Sequence, residues 1–285
     1  MSDIYLRQMK VSDLGALMHL KNAEGWNQTE ADWLFLLNHN PELCFVACMA
    51  GEVVGSVTAV NYNDTVAWIG MMLVRRDVRG RGISKQLLST VIEKLQSCDV
   101  IKLDATPAGQ PVYQKLGFVA EFELLRMTGD HLVSLSKQTE PAGLRRMQST
   151  DLLEVVSLDA SVMGTGRPDL IQRLFQENPD FSCTVRNTDG LAGAALVRRG
   201  TRFNHIGPVQ ATSVVDAKIL ISTLVDQLRG ESIVLDVVAS QQELVDWILA
   251  AGFVRQRSLT RMFLGKNVST DHPDRNFAIC GPEFG

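Results

Sequence analysis

Residues 79 to 84 read Arg79-Gly80-Arg81-Gly82-Ile83-Ser84. Two glycines and two arginines so close together suit a phosphate or pyrophosphate, provided that a helix begins there. The pattern predicts one, because Ile83, Leu87, Leu88, Val91, Ile92 and Leu95 fall on a single helical face. Glycines at the mouth of that helix leave backbone N–H groups unobstructed, and the helix dipole adds partial positive charge. The run before them, Val66 to Val74, is rich in β-branched, aromatic and Met residues, as a buried strand should be. Neither Gly-Lys-Ser/Thr nor G-x-G-x-x-G stands here, which excludes the nucleoside-triphosphate loop and the dinucleotide fingerprint. Taken alone, the segment also reads as a basic, flexible turn before a helix.

A second cluster follows a short strand, Val100 to Asp104, and ends in Tyr113-Gln114-Lys115-Leu116-Gly117-Phe118. Pro107 and Pro111 suit a turn and a first helical turn, and Gly117 suits a helix end. By itself Tyr113 would be a ring packed on a helix with its hydroxyl in water. Together the two segments resemble the GCN5-related N-acetyltransferases (GNAT). The pyrophosphate loop of that family runs Arg or Gln, two residues, Gly, one residue, then Gly or Ala. Arg79, Gly82 and Ser84 take those three positions. Ser84 departs from the pattern, yet it is small and its hydroxyl could reach a phosphate oxygen. The string from Tyr113 to Phe118 matches the family's Y-x-K-L-G-F at every defined position.

The resemblance implies an N-acetyltransferase with acetyl-CoA as cosubstrate and no metal, moving acetyl to the amine of a small acceptor by direct attack. Cofactor contacts would come from Arg79, Gly80, Arg81, Gly82, Ile83 and Ser84, and from the backbone of Met72, Leu73 and Val74, where two strands should splay. A backbone N–H near Met72 or Leu73 would be the oxyanion donor, worth on the order of 3 kcal/mol when preorganised. Asp104 and Thr106 would neighbour cofactor or substrate; each could equally be a turn-forming cap. Tyr113 would protonate the departing thiolate, since a phenol of pKa about 10 stays protonated beside a thiol of about 8.5. The strand offers no carboxylate or histidine between Thr65 and Val74 to act as base. Glu24 is the best single candidate, in a loop with Trp26 and Asn27 that shapes the acceptor site in this family; a water chain is the alternative. His205 is a further acceptor-site candidate, against the commoner finding of a packed histidine. A non-catalytic acyl-CoA sensor is the competing function. Retention of Tyr113 favours the enzyme, because a binder needs no proton donor.

The elements that must hold these groups occur twice. Leu6-Arg7-Gln8-Met9 with Asp13-Leu14 recurs as Leu144-Arg145-Arg146-Met147 with Asp151-Leu152. Gly117-Phe118-Val119 with Arg126-Met127 recurs as Gly252-Phe253-Val254 with Arg261-Met262, and Leu103-Asp104 as Leu235-Asp236. We expect two domains of one α/β plan, each a central twisted mixed sheet with helices on both faces. The first spans 1–136 and is catalytic, 137–143 is a polar Pro/Gly linker, and 144–285 is a degenerate second copy. The first copy reads as strand 4–8, helix 12–22 capped by Ser12, and helix 29–38 opened by Thr29 and Asp32. Strands 43–49, 53–61 and 65–74, helix 82–97, strand 100–104, helix 108–116 and strand 119–127 follow. In the second copy Gln210-Ala211-Thr212-Ser213 stands where the glycine loop should be, and no tyrosine answers Tyr113. That copy is expected to bind no acetyl-CoA. Its last residues, 275–285, are apolar enough to be docked.

A chain of 285 residues has room for two domains, and 45% hydrophobic content is ample for their cores. A net charge of −4 gives no electrostatic case for nucleic acid. Five cysteines without a C-x-x-C pair suit a reducing compartment and argue against zinc. No basic, apolar leader opens the sequence, and no apolar stretch approaches a membrane span. The expectation is a soluble, cytoplasmic protein whose partner is a small amine, with neither membrane nor nucleic acid, and with a homodimer left open.

Overall fold

The computed structural model describes residues 4–130, 132, 135, 143–266 and 272–285. The first copy runs β1 (Ile4–Gln8), α1 (Leu14–Ala23), α2 (Glu30–His39), β2 (Phe45–Met49), β3 (Glu52–Tyr62), β4 (Val66–Val74), α3 (Ile83–Lys94), β5 (Val100–Ala105), α4 (Gln110–Gln114) and β6 (Val119–Gly129). The second repeats the plan as β7 (Leu144–Arg146), α5 (Leu152–Met163), α6 (Pro168–Glu177), β8 (Cys183–Asn187), β9 (Gly190–Arg199), β10 (Asn204–Ala211), α7 (Val214–Gln227), β11 (Ile233–Val238), α8 (Gln242–Ala250) and β12 (Val254–Gly265). It adds β13 (Asn276–Ile279).

The repeated motifs are local staples. Arg7 grips Asp13 at 2.7 Å while the Lys10 N–H donates to the same carboxylate at 2.8 Å. Arg145, Gln148 and Asp151 do the same in the second copy. This arrangement replaces the Ser12 cap expected from sequence: Val11–Asp13 forms a short 3-10 turn, so α1 starts two residues later. Thr29 does cap α2, with its hydroxyl accepting from the Asp32 N–H. Gly117 and Gly252 both end their helices at positive φ, +93° and +96°. Phe118 and Phe253 then donate their N–H groups back to Tyr113 and Ile248.

The chain forms two compact units, Met1–Ala120 with Met262–Asn267 and Pro282–Gly285, and Glu121–Arg261 with Val268–Gly281. The repeat boundary near 137–143 is therefore not the packing boundary; residues 137–142 lie outside those described. The reason is an exchange of strands. In the second unit β6 pairs antiparallel with β11, from Ile233↔Gly129 to Val238↔Leu124. Arg126 on β6 holds Asp236 on β11 through two hydrogen bonds of 2.7 and 2.6 Å. Reciprocally, Met262 of β12 sits in the core of the first unit, and the Lys266 N–H donates to Asp99 O at 3.1 Å.

Within the first unit the strand order is β1-β2-β3-β4-β5, followed by the end of β12. Ala67 and Ile69 of β4 join Ile83, Leu87, Leu88 and Val91 of α3 in one core. Trp68 and Gly70 alternate to the opposite face of the strand. The second unit orders its strands β6-β11-β13-β10-β9-β8-β7 and packs Leu220, Ile221 and Leu224 of α7 into its own core. Each unit is a mixed α/β layer structure, and no described helix is long and apolar enough to cross a membrane.

Candidate active site

Strand β4 carries the first feature of the site. Its parallel ladder with β5 runs from Val66↔Val100 to Trp68↔Lys102 and stops there. Both strands continue, β4 to Val74 and β5 to Ala105. Beyond Trp68 the backbone of β4 thus has no ladder partner on the β5 side. The other edge of β4 is irregular over the same stretch. Thr58 pairs with Gly70 and Ser56 with Leu73, so Val57 faces both Met71 and Met72. This is a β-bulge. Met71 takes a φ of +50°, unusual for a side-chain-bearing residue, and the Ser56 hydroxyl donates to its carbonyl at 2.8 Å. The bulge lies where the β4–β5 ladder has ended, and beyond it Leu73 and Val74 resume pairing with Ser56 and Gly55 of β3.

The glycine loop follows directly. Gly80 and Gly82 both adopt φ of +79°, and a Cβ at either would meet no atom within 4 Å. Gly82 is the N-cap of α3 and has no side chain to satisfy the first N–H groups. The loop therefore presents bare amides and a helix N-terminus to open space, a cradle that fits a pyrophosphate. Ile83 anchors it from below in the core, and Ser84 is half-buried beside it. The Arg79 guanidinium, exposed at the surface, donates to Val74 O at 2.9 Å and to Glu24 at 2.7 Å. Arg81 stays exposed, with one contact to the Met49 sulfur at 3.7 Å.

Glu24 is thus committed to the loop. Its carboxylate accepts from Arg76 at 2.9 Å as well as from Arg79. Partial burial pushes its pKa up, but the hydrogen bond from Arg76 and the charges of Arg79 and Arg76 outweigh this and hold it below the ordinary carboxylate range. A carboxylate so held is a weak proton acceptor, and its placement suits fixing Arg79. Trp26 and Asn27 lie beside it in the α1–α2 loop, Asn27 buried and Trp26 half-buried.

Tyr113 sits on α4 with its ring edge-on to Phe118, 6.0 Å between centroids. A Cβ on Gly109 would come within 3.0 Å of that ring, so the glycine makes room for it. Burial pushes the phenol pKa up to about 12, so Tyr113 is protonated at neutral pH. The Thr106 hydroxyl accepts from the Gly109 N–H at 3.2 Å, as a helix-entry cap does. Asp104 stands half-buried at the end of β5.

His205 lies elsewhere, in the interior of the second unit. It is 1% exposed, and its Nε2 is 3.1 Å from Ile279 O and 3.7 Å from Asp236. Burial lowers its pKa to about 3, against the attraction of Asp236. The structure thus places His205 as a neutral, enclosed imidazole within the packing of the second unit. The second unit also closes the helix mouth that corresponds to the glycine loop. Ser213 caps α7 by accepting from the Asp216 N–H at 3.2 Å, and Asp216 places a carboxylate in the first turn. That end of α7 has one of its first N–H groups capped and carries a carboxylate that disfavours an anion.

Sequence reasoning missed one side chain. Pro282–Gly285 belongs to the first unit, where Gln28 donates to the carboxylate of Glu283 at 2.8 Å. The available signal was a lone acid between Pro282 and Phe284 in an otherwise apolar, docked stretch. No group of three or more His, Cys, Asp or Glu side chains converges as a metal site among the described residues.

Comparison with known proteins bears on both halves. Residues 13–118 match the family model described as the acetyltransferase (GNAT) family, and residues 155–278 match an acetyltransferase (GNAT) domain. An acetyltransferase of Sodalis glossinidius is 35% identical over 113 residues, covering 38% of this chain and 78% of that protein. Holothin acyltransferase of a Pseudoalteromonas species is 26% identical over 248 residues, 86% of this chain and 82% of that one. Among solved structures, a provisionally assigned acetyltransferase of Pyrococcus horikoshii superposes with a TM-score of 0.83 at 22% identity, covering 99% of this chain and 96% of the other. A tandem GNAT protein of the clavulanic acid pathway gives 0.66 at 13%, covering 92% and 98%. At these identities the structural matches speak for the fold alone.

Proposed function

This chain belongs to the GCN5-related (GNAT) acetyltransferase family and is an acyl-CoA-dependent acyltransferase, and from that premise we propose that its first unit moves acetyl from acetyl-CoA to the amine of a small acceptor. The observation that carries this reading is the conjunction, in one unit, of the open Gly80–Gly82 cradle, the β4–β5 gap and a protonated tyrosine. The cradle holds the pyrophosphate, and the backbone of Met72 to Val74 lines the arm that carries the thioester. A β4 N–H at the bulge polarises the thioester carbonyl. Tyr113 gives its proton to the thiolate as the C–S bond breaks. The capped, acidic start of α7 supports a second unit without a cosubstrate of its own.

The test is thiol release from acetyl-CoA in the presence of amino acids, polyamines, aminoglycosides and peptide N-termini, with the product identified by mass. Because a Pseudoalteromonas relative is a holothin acyltransferase, holothin and longer acyl-CoAs belong in that panel. Release matched by acetylated product is expected for at least one amine. Tight acetyl-CoA binding with no transfer to any of them would favour the sensor reading.

Glu24→Ala separates loop anchoring from proton abstraction. Losing the partner of Arg79 is expected to raise the acetyl-CoA KM several-fold and to leave kcat nearly unchanged. A fall in kcat of about 100-fold at saturating acetyl-CoA would make Glu24 the base instead.

A further inference from the structure

The reading above leaves the proton of the attacking amine without an acceptor, because β4 carries none and Glu24 is held by two arginines. We infer that Glu283, brought from the far end of the sequence into the first unit, is that acceptor. The inference rests on the assignment of acyl transfer to this unit.

The placement is specific. A Cβ built on Gly70 would lie 2.8 Å from Glu283 Cα and 2.9 Å from Glu283 Cβ. Glu283 therefore occupies the space that a side chain at position 70 would fill. Position 70 is the residue just before the bulge at Met71 and lies past the last β4–β5 pair at Trp68. A strand with no carboxylate of its own thus receives one where its backbone starts to diverge from β5. Gly70 is what permits it, since any larger residue would displace the segment.

The carboxylate is also fixed. Trp68 Nε1 donates to Pro282 O at 3.0 Å, and the Tyr62 hydroxyl donates to Phe284 O at 3.0 Å. The Phe284 ring stands edge-on to Phe35, 5.8 Å between centroids. Between these anchors Glu283 is 2% exposed, and its Oε2 accepts from Gln28. Gln28 follows Trp26 and Asn27 in the α1–α2 loop, so the same loop that borders the acceptor region orients the carboxylate.

The proton balance closes. An acceptor ammonium loses one proton to Glu283, directly or through one water, and Glu283 passes it to solvent. The free amine attacks the thioester carbonyl carbon, forming C–N as C–S breaks. The second nitrogen proton replaces the one that Tyr113 gives to the thiolate. The products are the amide, free thiol and one released proton.

The test uses the full-length chain and an amine that the wild type acetylates. Glu283→Gln is isosteric and keeps an oxygen for the Gln28 N–H, whereas Glu283→Asp is shorter but remains basic. A proton acceptor predicts that Gln falls about 10²- to 10⁴-fold in kcat near neutral pH while Asp retains more activity. Acetyl-CoA affinity should hold in Gln, and its residual rate should climb with pH as free amine replaces ammonium. A packing role predicts the reverse order, with Gln near wild type and Asp impaired, and that order would overturn the inference while acyl transfer stands. A wild type that binds acetyl-CoA and acetylates no amine would overturn the acyl-transfer reading itself, and this inference with it.

Discussion

Acetyl-CoA binding is expected to be lost in Gly82→Asp while the fold survives. Beyond its own chain neighbours no protein atom lies within 4 Å of a Cβ at this position, so a side chain there starts in open space at the loop. It would set a negative charge against a diphosphate. At about 4 Å and an effective dielectric of about 20, each pair of like charges costs on the order of 4 kcal/mol, roughly a thousandfold in affinity. The φ of +79° adds a smaller backbone cost, moderate for Asp among non-glycine residues. An acidic residue at the N-cap of α3 is otherwise favourable to the helix. Loss of binding with a melting temperature close to wild type is therefore the expected pair of results. Calorimetry on the wild type should show one site per chain. Two equivalent sites, or unchanged affinity in the variant, would show that the Gly80–Gly82 cradle is not where the pyrophosphate rests.

Tyr113→Phe should cut kcat by about 10²- to 10⁴-fold with acetyl-CoA affinity nearly intact. The ring packs edge-on to Phe118 and fills the space left by Gly109, and phenylalanine keeps both contacts. Only the proton is removed. With the phenol pKa pushed up to about 12 by burial, the wild-type donor stays protonated across the physiological range. Its deprotonation therefore should not limit the wild-type rate below about pH 10. An undiminished kcat in the variant would mean that water or another group protonates the thiolate.

The sequence by itself determined whatever depends on neighbours close in the chain. The open glycine turn was legible because it needs only a strand, two residues free to take positive φ, and an amphipathic helix, all within 66–95. The strand and helix order of the first copy was legible from periodicity, with boundaries displaced where a 3-10 turn precedes α1 and where α3 and α4 end early. The second copy's lack of a cradle was legible too, although the structure added its reason, the Ser213–Asp216 cap. Roles of isolated polar residues were not legible. The sequence offers Glu24 as a base and His205 as an acceptor-site residue, and it carries no sign that Arg76 and Arg79 pair with the first or that the second unit encloses the other.

Two things belonged to tertiary structure alone. One is the exchange of β6 and the end of β12, which means that a chain cut near Gln138 lacks the pieces of the first unit contributed by Met262–Asn267 and Pro282–Gly285. The two copies end in similar strands, Arg126-Met127 and Arg261-Met262, so either pattern suits either sheet, and local periodicity carries no record of the partner chosen. The other is Glu283. Gln28 and Glu283 are 255 residues apart, and what joins them is a missing side chain at Gly70 together with carbonyls offered to Trp68 and Tyr62. Backbone carbonyls and empty space have no signature in a residue string; they acquire meaning only when the folded sheet sets them opposite the groups that fill them.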